Sequence, residues 1–102
     1  MKCIQMIKDE GKFTRFPNEI FDFILGSKLT GTQSSIVYTV IRNTYGWGRE
    51  YCQLSLKDFE KITGCSRAQL ARDVKKLIND GMLIEKYEGQ DRSLKFNTKI
   101  IN

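Results

Sequence analysis

Apolar residues recur at the three- and four-residue steps of a helix in four segments of the chain. The first segment opens at Pro17-Asn18, where proline preorganises the first turn and asparagine caps the helix, and Gly26 closes it. The second begins after Thr30 and runs to about Thr44. Many of its residues are β-branched, so burial must hold this helix together. The predicted apolar faces are Ile20, Phe21, Ile24 and Leu25 in the first helix and Ile36, Val37, Val40, Ile41 and Tyr45 in the second.

Two shorter helices follow, separated by a tight turn at Gly64. Ser55 and Ser66 each stand three residues before a side chain that can complete a capping box, Asp58 and Gln69 respectively. The spacing therefore predicts a helix, a tight turn and a second helix. Their apolar stripes are Leu56, Phe59 and Ile62 in the third helix and Leu70, Val74, Leu77 and Ile78 in the fourth, which ends near Gly81.

The end of the chain has the pattern of a β-hairpin. Two strand-like runs, 82–87 and 92–97, are joined by residues 88–91, whose Gly89 can take the positive φ of a hairpin turn. A hairpin directly after a helix-turn-helix is a wing. The predicted fold is therefore α+β and mainly helical, a winged helix-turn-helix with a C-terminal β-hairpin wing. Residues 1–12 lack a sustained period and are predicted to form an N-terminal arm, which leaves 13–102 as the winged-helix domain.

Aromatic residues outside these stripes suggest two further features. Gly46 and Gly48 bracket Trp47, which predicts a bend plugged by a buried indole, and a weakly alternating run at 51–54 follows as a short strand. Phe23 falls off the Ile20–Ile24 stripe. Together with Phe13 and Phe16, it is a candidate for the surface of a homodimer.

Composition excludes several classes of protein. At 102 residues and 11.8 kDa the chain suits a single domain. It has no histidine, which rules out an imidazole base and the usual histidine zinc centres. Its three cysteines include no Cys-x-x-Cys pair and are predicted to be reduced thiols. With no phosphate loop, no membrane-length apolar run and no apolar secretion signal, we expect a cytoplasmic protein without catalytic residues, metal or cofactor.

The fourth helix is the most basic part of a chain whose net charge is +5. The positions opposite its apolar stripe are basic, small or amide-bearing, as in a helix that enters the major groove. Arg72 has the paired donors that suit guanine, Gln69 has the donor and acceptor that suit adenine, and Ala68 can contact a thymine methyl group. Four further residues of this helix are predicted to contact phosphate: Ser66 and Arg67 at its N-terminus, and Lys75 and Lys76 farther along. From the wing, Arg92 is predicted to contact an adjacent groove or phosphate.

Several motifs resemble one family of phage proteins. They are Phe13-Thr14-Arg15-Phe16-Pro17-Asn18-Glu19-Ile20, Leu29-Thr30-Gly31, Arg42-Asn43-Thr44-Tyr45-Gly46-Trp47, Ile62-Thr63-Gly64-Cys65-Ser66-Arg67 and Gly81-Met82-Leu83-Ile84. Together they resemble the N-terminal domain of phage replication protein O, the lambda-type origin-binding initiator, over residues 13–84. The resemblance implies a winged-helix domain that binds repeated origin sites as a dimer. It also implies a helicase-recruiting region after the domain, which these 102 residues do not include, so an excised domain and a stand-alone relative both stay open.

Three functions fit these features. The leading hypothesis is sequence-specific binding of double-stranded DNA at a phage replication origin. A small phage transcription regulator with the same fold is the first alternative, because a fold does not fix a function. A winged-helix module that binds a host protein, for example a host replication protein, is the second; the modest net charge and Asp73 on the fourth helix favour it.

Overall fold

Helix and strand formation follows the apolar periodicity, and the winged helix-turn-helix is confirmed. The computed structural model describes residues 13–101, so the predicted N-terminal arm and Cys3 lie outside the described residues. The elements in chain order are α1 Asn18–Gly26, α2 Gly31–Thr44, a 3₁₀ turn Tyr45–Trp47, α3 Leu56–Thr63, α4 Arg67–Asn79, β1 Leu83–Glu88, β2 Asp91–Phe96 and a second 3₁₀ turn Thr98–Ile100.

The core forms around α2, which packs against α3, α4 and β2. Phe59 of α3 is fully buried within it, and Ile20 and Ile24 bring α1 onto the same cluster. Each such side chain contributes roughly 1.5–3 kcal/mol by leaving water. The predicted apolar faces of α2 and α4 are confirmed, since Ile36, Val37, Val40, Ile41, Leu70, Val74 and Leu77 are all buried.

Helix α2 contains many weak helix formers. Hydrogen bonds from its own polar side chains stabilise it, in addition to burial. Thr30 accepts a hydrogen bond from the Gln33 backbone N–H at 3.2 Å, and the Gln33 carboxamide accepts one from Thr30 N–H in return. This capping box satisfies two of the amides left free at a helix N-terminus. Farther along, the Thr39 and Thr44 hydroxyls donate to carbonyls one turn back. These bonds allow a threonine-rich helix to be buried.

The wing is an antiparallel hairpin with two distinct faces. Leu83 pairs with Phe96, and Lys86 pairs with Ser93. Because side chains alternate, Leu83 and Phe96 lie on the inner face against the core, whereas Lys86 lies on the outer face.

The predicted strand at 51–54 is reduced to one bridge, which joins Cys52 to Leu94 of β2. Burial raises the pKa of the Cys52 thiol to about 11, so this cysteine stays protonated at neutral pH.

Four predictions about helix ends and helix faces were wrong. Pro17 is the N-cap of α1 and Asn18 is its first helical residue, without a side-chain cap. Ile62 is exposed, because α3 is short and Phe59 alone fills its buried face. Phe23 packs edge-on against Phe96 with ring centroids 6.3 Å apart, so it belongs to the core margin. Phe21 and Leu25, which were predicted on the apolar face of α1, are exposed, as is Phe13.

The prediction that Trp47 plugs the bend after α2 was also wrong. The 3₁₀ turn carries the indole outward, and 61% of its surface is exposed. Tyr45 provides the packing at this corner instead, because its ring lies 6.3 Å from that of Phe16. A large aromatic side chain therefore stands on the surface without a packing role in the core.

Candidate nucleic-acid interface

The turn between α3 and α4 sets the position of the candidate interface. Ser55 and Asp58 form the predicted capping box, and the Asp58 carboxylate accepts from Ser55 N–H at 2.9 Å. That hydrogen bond holds the pKa of the Asp58 carboxyl below its ordinary value. Gly64 ends α3 at φ 75°, a left-handed conformation that suits glycine. The chain then turns at once into α4, whose N-cap is Ser66.

The exposed side of α4 carries four of the predicted contact residues. Ala68, Arg72, Lys75 and Lys76 are exposed and lie opposite the buried line of Leu70 and Val74. They occupy one stripe along nearly the whole helix. Sequence reasoning missed two exposed residues that border this stripe, Ala71 and Asn79; the helical wheel itself would have shown them, although neither carries charge.

Gln69 has a different environment from the one predicted. Its Nε2 donates to the carboxylate of Asp73 at 2.8 Å, and its Oε1 accepts a hydrogen bond from Arg72 Nη2. The side chain is half-buried, and the reciprocal half of its predicted capping box with Ser66 is absent, although Ser66 does accept from Gln69 N–H. In this structure Gln69 therefore positions Arg72 and does not present a free carboxamide to a base edge.

Asp73 is buried, with 5% of its surface exposed. It lies on the core side of α4 and its carboxylate accepts from Gln69. The acidic residue that favoured a host-protein partner is thus internal, and it does not reduce the positive charge of the exposed face directly. Instead it anchors a chain of hydrogen bonds from the core through Gln69 to the Arg72 guanidinium.

Two of the predicted phosphate contacts are engaged in surface ion pairs. Arg67 Nη2 lies 2.8 Å from Glu60 Oε1, which ties the start of α4 to α3. Lys76 Nζ lies 3.0 Å from Asp80 one turn farther along α4. Exposed pairs of this kind contribute about 0–1 kcal/mol, so a phosphate can compete for either cation. Lys75 forms no ion pair with any residue in the range 13–101.

The wing brings Arg92 to the same side as Lys75. A cleft of about 350 Å³ separates α4 from the inner face of the hairpin, and Arg92 and Lys75 both line it. Tyr87, which pairs with Arg92 across the strands, lines the cleft as well and is exposed. The predicted wing residue and the fourth helix therefore form one surface.

Two other features are absent from residues 13–101. This part of the chain holds no group of three or more side chains suited to a metal ion. It also contains no helix of the length and hydropathy that crossing a membrane requires. The predicted residues that the structure does bring together on one side are Ala68, Arg72, Lys75, Lys76 and Arg92.

A capped helix-turn-helix with an exposed basic stripe and an adjoining wing defines a winged-helix protein of the DNA-binding class. The model of one protein family, bacteriophage replication protein O, matches residues 5–102. The chain belongs to the bacteriophage replication protein O family, and the match extends beyond the 13–84 that the sequence motifs covered. Its function is accordingly DNA binding in phage replication.

Comparison with solved structures finds the chain similar to one described as "N-Terminal domain of DNA binding protein". The two share 24% sequence identity with a TM-score of 0.49, over 84% of this chain and 74% of that one. No curated protein sequence matches this chain. The assignment to phage replication therefore depends on the family match.

Proposed function

We propose that the chain binds double-stranded DNA sequence-specifically, at repeated sites of a phage replication origin. In this proposal α4 enters the major groove and the wing contacts the flanking groove or backbone. The exposed stripe of α4 carries the proposal, because Arg72 and Lys75 project from it beside a wing that adds Arg92. Family membership supports a role in replication over one in transcription.

Arg72 is the residue proposed to recognise a base. It stands midway along the exposed stripe, and the Gln69–Asp73 hydrogen-bond chain limits the freedom of its guanidinium group. A guanidinium held in place makes paired hydrogen bonds to guanine at a lower entropic cost than a free one. Ala68, one turn nearer the N-terminus, is small enough to let the helix approach a thymine methyl group.

The remaining cations are proposed to contact phosphate. Ser66 and Arg67 lie at the N-terminus of α4, where free amides and the helix dipole favour an anion. Lys75 and Lys76 follow along the helix, and Lys76 must exchange Asp80 for DNA. Contacts of this kind add affinity and salt dependence without selecting a sequence.

A homodimer on two half-sites is the proposed assembly. The apolar residues available for a two-fold interface are the exposed Phe13, Phe21 and Leu25. Phe23 is not available, because it is partly buried against the core. Two recognition helices then contact half-sites about one helical turn apart. Sedimentation of wild type and Phe21→Glu with a two-half-site duplex tests this assembly. Wild type should bind as two copies and the variant as one, whereas a single wild-type copy per duplex would contradict it.

Footprinting on phage DNA tests the proposed function as a whole. Protection of several repeated sites within the replication region supports origin binding. Protection of a single site at a promoter would instead indicate a transcription regulator. No protection of any duplex, even at low salt, would contradict duplex recognition and leave the host-protein hypothesis to be tested by binding assays.

A further inference from the structure

The exposed Trp47 forms an aromatic surface flanked by two arginines. The guanidinium carbons of Arg42 and Arg49 each lie 5.8 Å from the centroid of the Trp47 ring. All three side chains are exposed. We call Arg42, Trp47 and Arg49 the tryptophan platform. None of these residues belongs to the stripe of α4 or to the cleft between α4 and the wing.

The platform is not explained by internal packing or charge balance. Within residues 13–101, neither Arg42 nor Arg49 forms an ion pair. Exposing an indole to water is unfavourable, and cation–aromatic contacts at an exposed site recover only part of that cost. Gly46 helps to hold the arrangement, because a Cβ there would lie 2.8 Å from Arg42 Nη1 and 2.9 Å from Thr14 Oγ1. The absence of a side chain at Gly46 thus allows the Arg42 guanidinium to lie against the backbone.

A second aromatic–cation group continues the platform toward the wing. Tyr51 lies between the ammonium groups of Lys86 and Lys95, which stand 4.7 and 5.0 Å from its ring centroid. By the strand register, both lysines belong to the outer face of the hairpin, which faces away from α4. Arg49 and Lys95 line a common cleft of about 280 Å³, which connects the two groups.

The charge of this outer surface is positive, although three carboxylates border it, those of Glu50, Glu88 and Asp91. Glu50 lies 3.1 Å from Lys95 and raises its pKa, and Glu88 lies 3.7 Å from Lys86. These pairs balance the two lysines and leave the two arginines of the platform without a counter-charge among the described residues. The cations of this surface that lack an ion pair therefore lie beside Trp47.

The chemistry of this surface fits a flexible anionic strand with accessible flat rings. A duplex keeps its base faces stacked inside, so it can use the cations but has no ring face to offer the indole. An unpaired strand offers both, since its bases stack on aromatic side chains while cations contact its phosphates. Trp47 and Tyr51 are four residues apart, at most about 14 Å along the chain, a separation that a few nucleotides can span.

We propose that the tryptophan platform, continued by Tyr51, is a second nucleic-acid site that binds single-stranded DNA. Bases stack on Trp47, and Arg42 and Arg49 contact the adjoining phosphates. The site is separate from the α4 stripe, so it adds an activity to duplex recognition and does not depend on it. Unpaired DNA exposed near a bound duplex is its expected substrate.

The only tryptophan of the chain reports directly on this site. The test titrates the wild-type chain with an oligothymidylate of about 12 nucleotides, within the range that small single-strand sites cover. Stacking should quench the fluorescence of Trp47. Trp47→Ala should weaken binding of the fluorescently labelled oligonucleotide roughly 5- to 150-fold, as expected for one lost base stack, whereas Trp47→Phe should retain part of the affinity. Arg49→Ala should reduce the salt slope by about 0.7 for one phosphate contact.

Matched variants separate this site from the α4 surface. Tyr38→Ala removes an exposed aromatic residue of α2 that lies outside the platform and should leave oligothymidylate binding unchanged. Arg72→Ala should weaken duplex binding only, and Trp47→Ala should weaken single-strand binding only.

An unquenched indole, or a Trp47→Ala variant that keeps full affinity for the oligonucleotide, overturns the proposal. Equal loss of duplex and single-strand affinity in Trp47→Ala also overturns it, because the platform would then belong to the duplex interface. Circular dichroism confirms folding of each variant.

Discussion

The α4 stripe and the tryptophan platform are both basic and exposed, but their cations are held in different ways. Polar partners engage three of the α4 cations: Arg67 bonds to Glu60, Arg72 to Gln69 and Lys76 to Asp80. On the platform, Arg42 and Arg49 lie over an aromatic ring and have no carboxylate partner among residues 13–101. Positive charge alone therefore does not describe either surface.

This difference indicates two kinds of ligand. Recognition of a base edge needs donors in fixed directions, and the Asp73–Gln69–Arg72 chain supplies one. Binding of an unpaired strand needs a flat ring and cations that adapt to a flexible backbone.

Phe59→Ala should remove both surfaces together, because this side chain is fully buried where α3 joins the core. We expect a loss of about 3–5 kcal/mol in the free energy of unfolding. Urea denaturation measures this loss, and titrations with duplex and oligothymidylate should both fail. A variant within about 1 kcal/mol of wild type would show that α3 does not hold the helix-turn-helix in place.

Arg72→Ala should affect the α4 stripe alone. We expect specific duplex binding to weaken by about 1–3 kcal/mol and base preference to relax at one position. Gln69→Ala should cause a smaller loss at the same position, because it frees the Arg72 side chain without removing it. Binding of a set of single-base variants of the site measures both effects. An equal loss on every sequence would reassign Arg72 to a phosphate contact.

Lys75→Ala should weaken binding to all duplexes alike and reduce the magnitude of the salt slope by about 0.9. Lys76→Ala should do the same with a smaller loss of affinity, because Lys76 gives up its ion pair with Asp80 in order to bind. Affinity measured over a series of salt concentrations gives the slope. Lys99→Ala, an exposed lysine after the wing, is the control. Unchanged slopes would place this part of α4 away from DNA.

Trp47→Ala should scarcely affect stability, although tryptophan is the largest side chain in the chain. With most of its surface exposed, we expect a change below about 1 kcal/mol in the free energy of unfolding. Thermal and urea denaturation measure it. A loss as large as that of Phe59→Ala would restore the prediction that Trp47 plugs the bend, and would leave the platform without a role as a surface.

Asp58→Asn should lower stability only slightly and in a pH-dependent way. The Ser55 backbone N–H lowers the pKa of the Asp58 carboxyl below 3.8, so the folded state binds this proton less readily than the unfolded state. The stabilisation is present above that value and is lost as the pH falls through the pKa of the folded state. Melting temperatures should differ between variant and wild type at pH 7 and converge in acid. Asp22→Asn, an exposed carboxylate on α1, is the control.

The elements were predictable where local chemistry and burial agree. The capping box of Ser55 and Asp58 predicts α3 from sequence alone. The helical spacing of the apolar residues from Leu70 to Leu77 likewise predicts α4. The errors arise where an orientation depends on neighbours distant in sequence or on a single turn. Phe23 packs on Phe96 of the wing, which periodicity within α1 cannot show.

The candidate site was predictable as a helix face and not in its internal bonds. The i, i+4 spacing of Gln69 and Asp73 was visible, but only the burial of Asp73 shows that it binds the carboxamide. Trp47 was misplaced for a related reason. Hydrophobicity predicts that a tryptophan is buried, whereas the 3₁₀ turn after α2 points it outward between two arginines.

Selection from a pool of random duplexes tests the claim that Arg72 of α4, held in place by Gln69, recognises DNA sequence. Wild type and Arg72→Ala are each incubated with the pool at several salt concentrations, and the bound duplexes are sequenced. Wild type should enrich a defined motif, and the variant should lose the preference for guanine at one position of it while keeping the others. The absence of any enriched motif for the wild type, or an identical motif for both proteins, would contradict the claim.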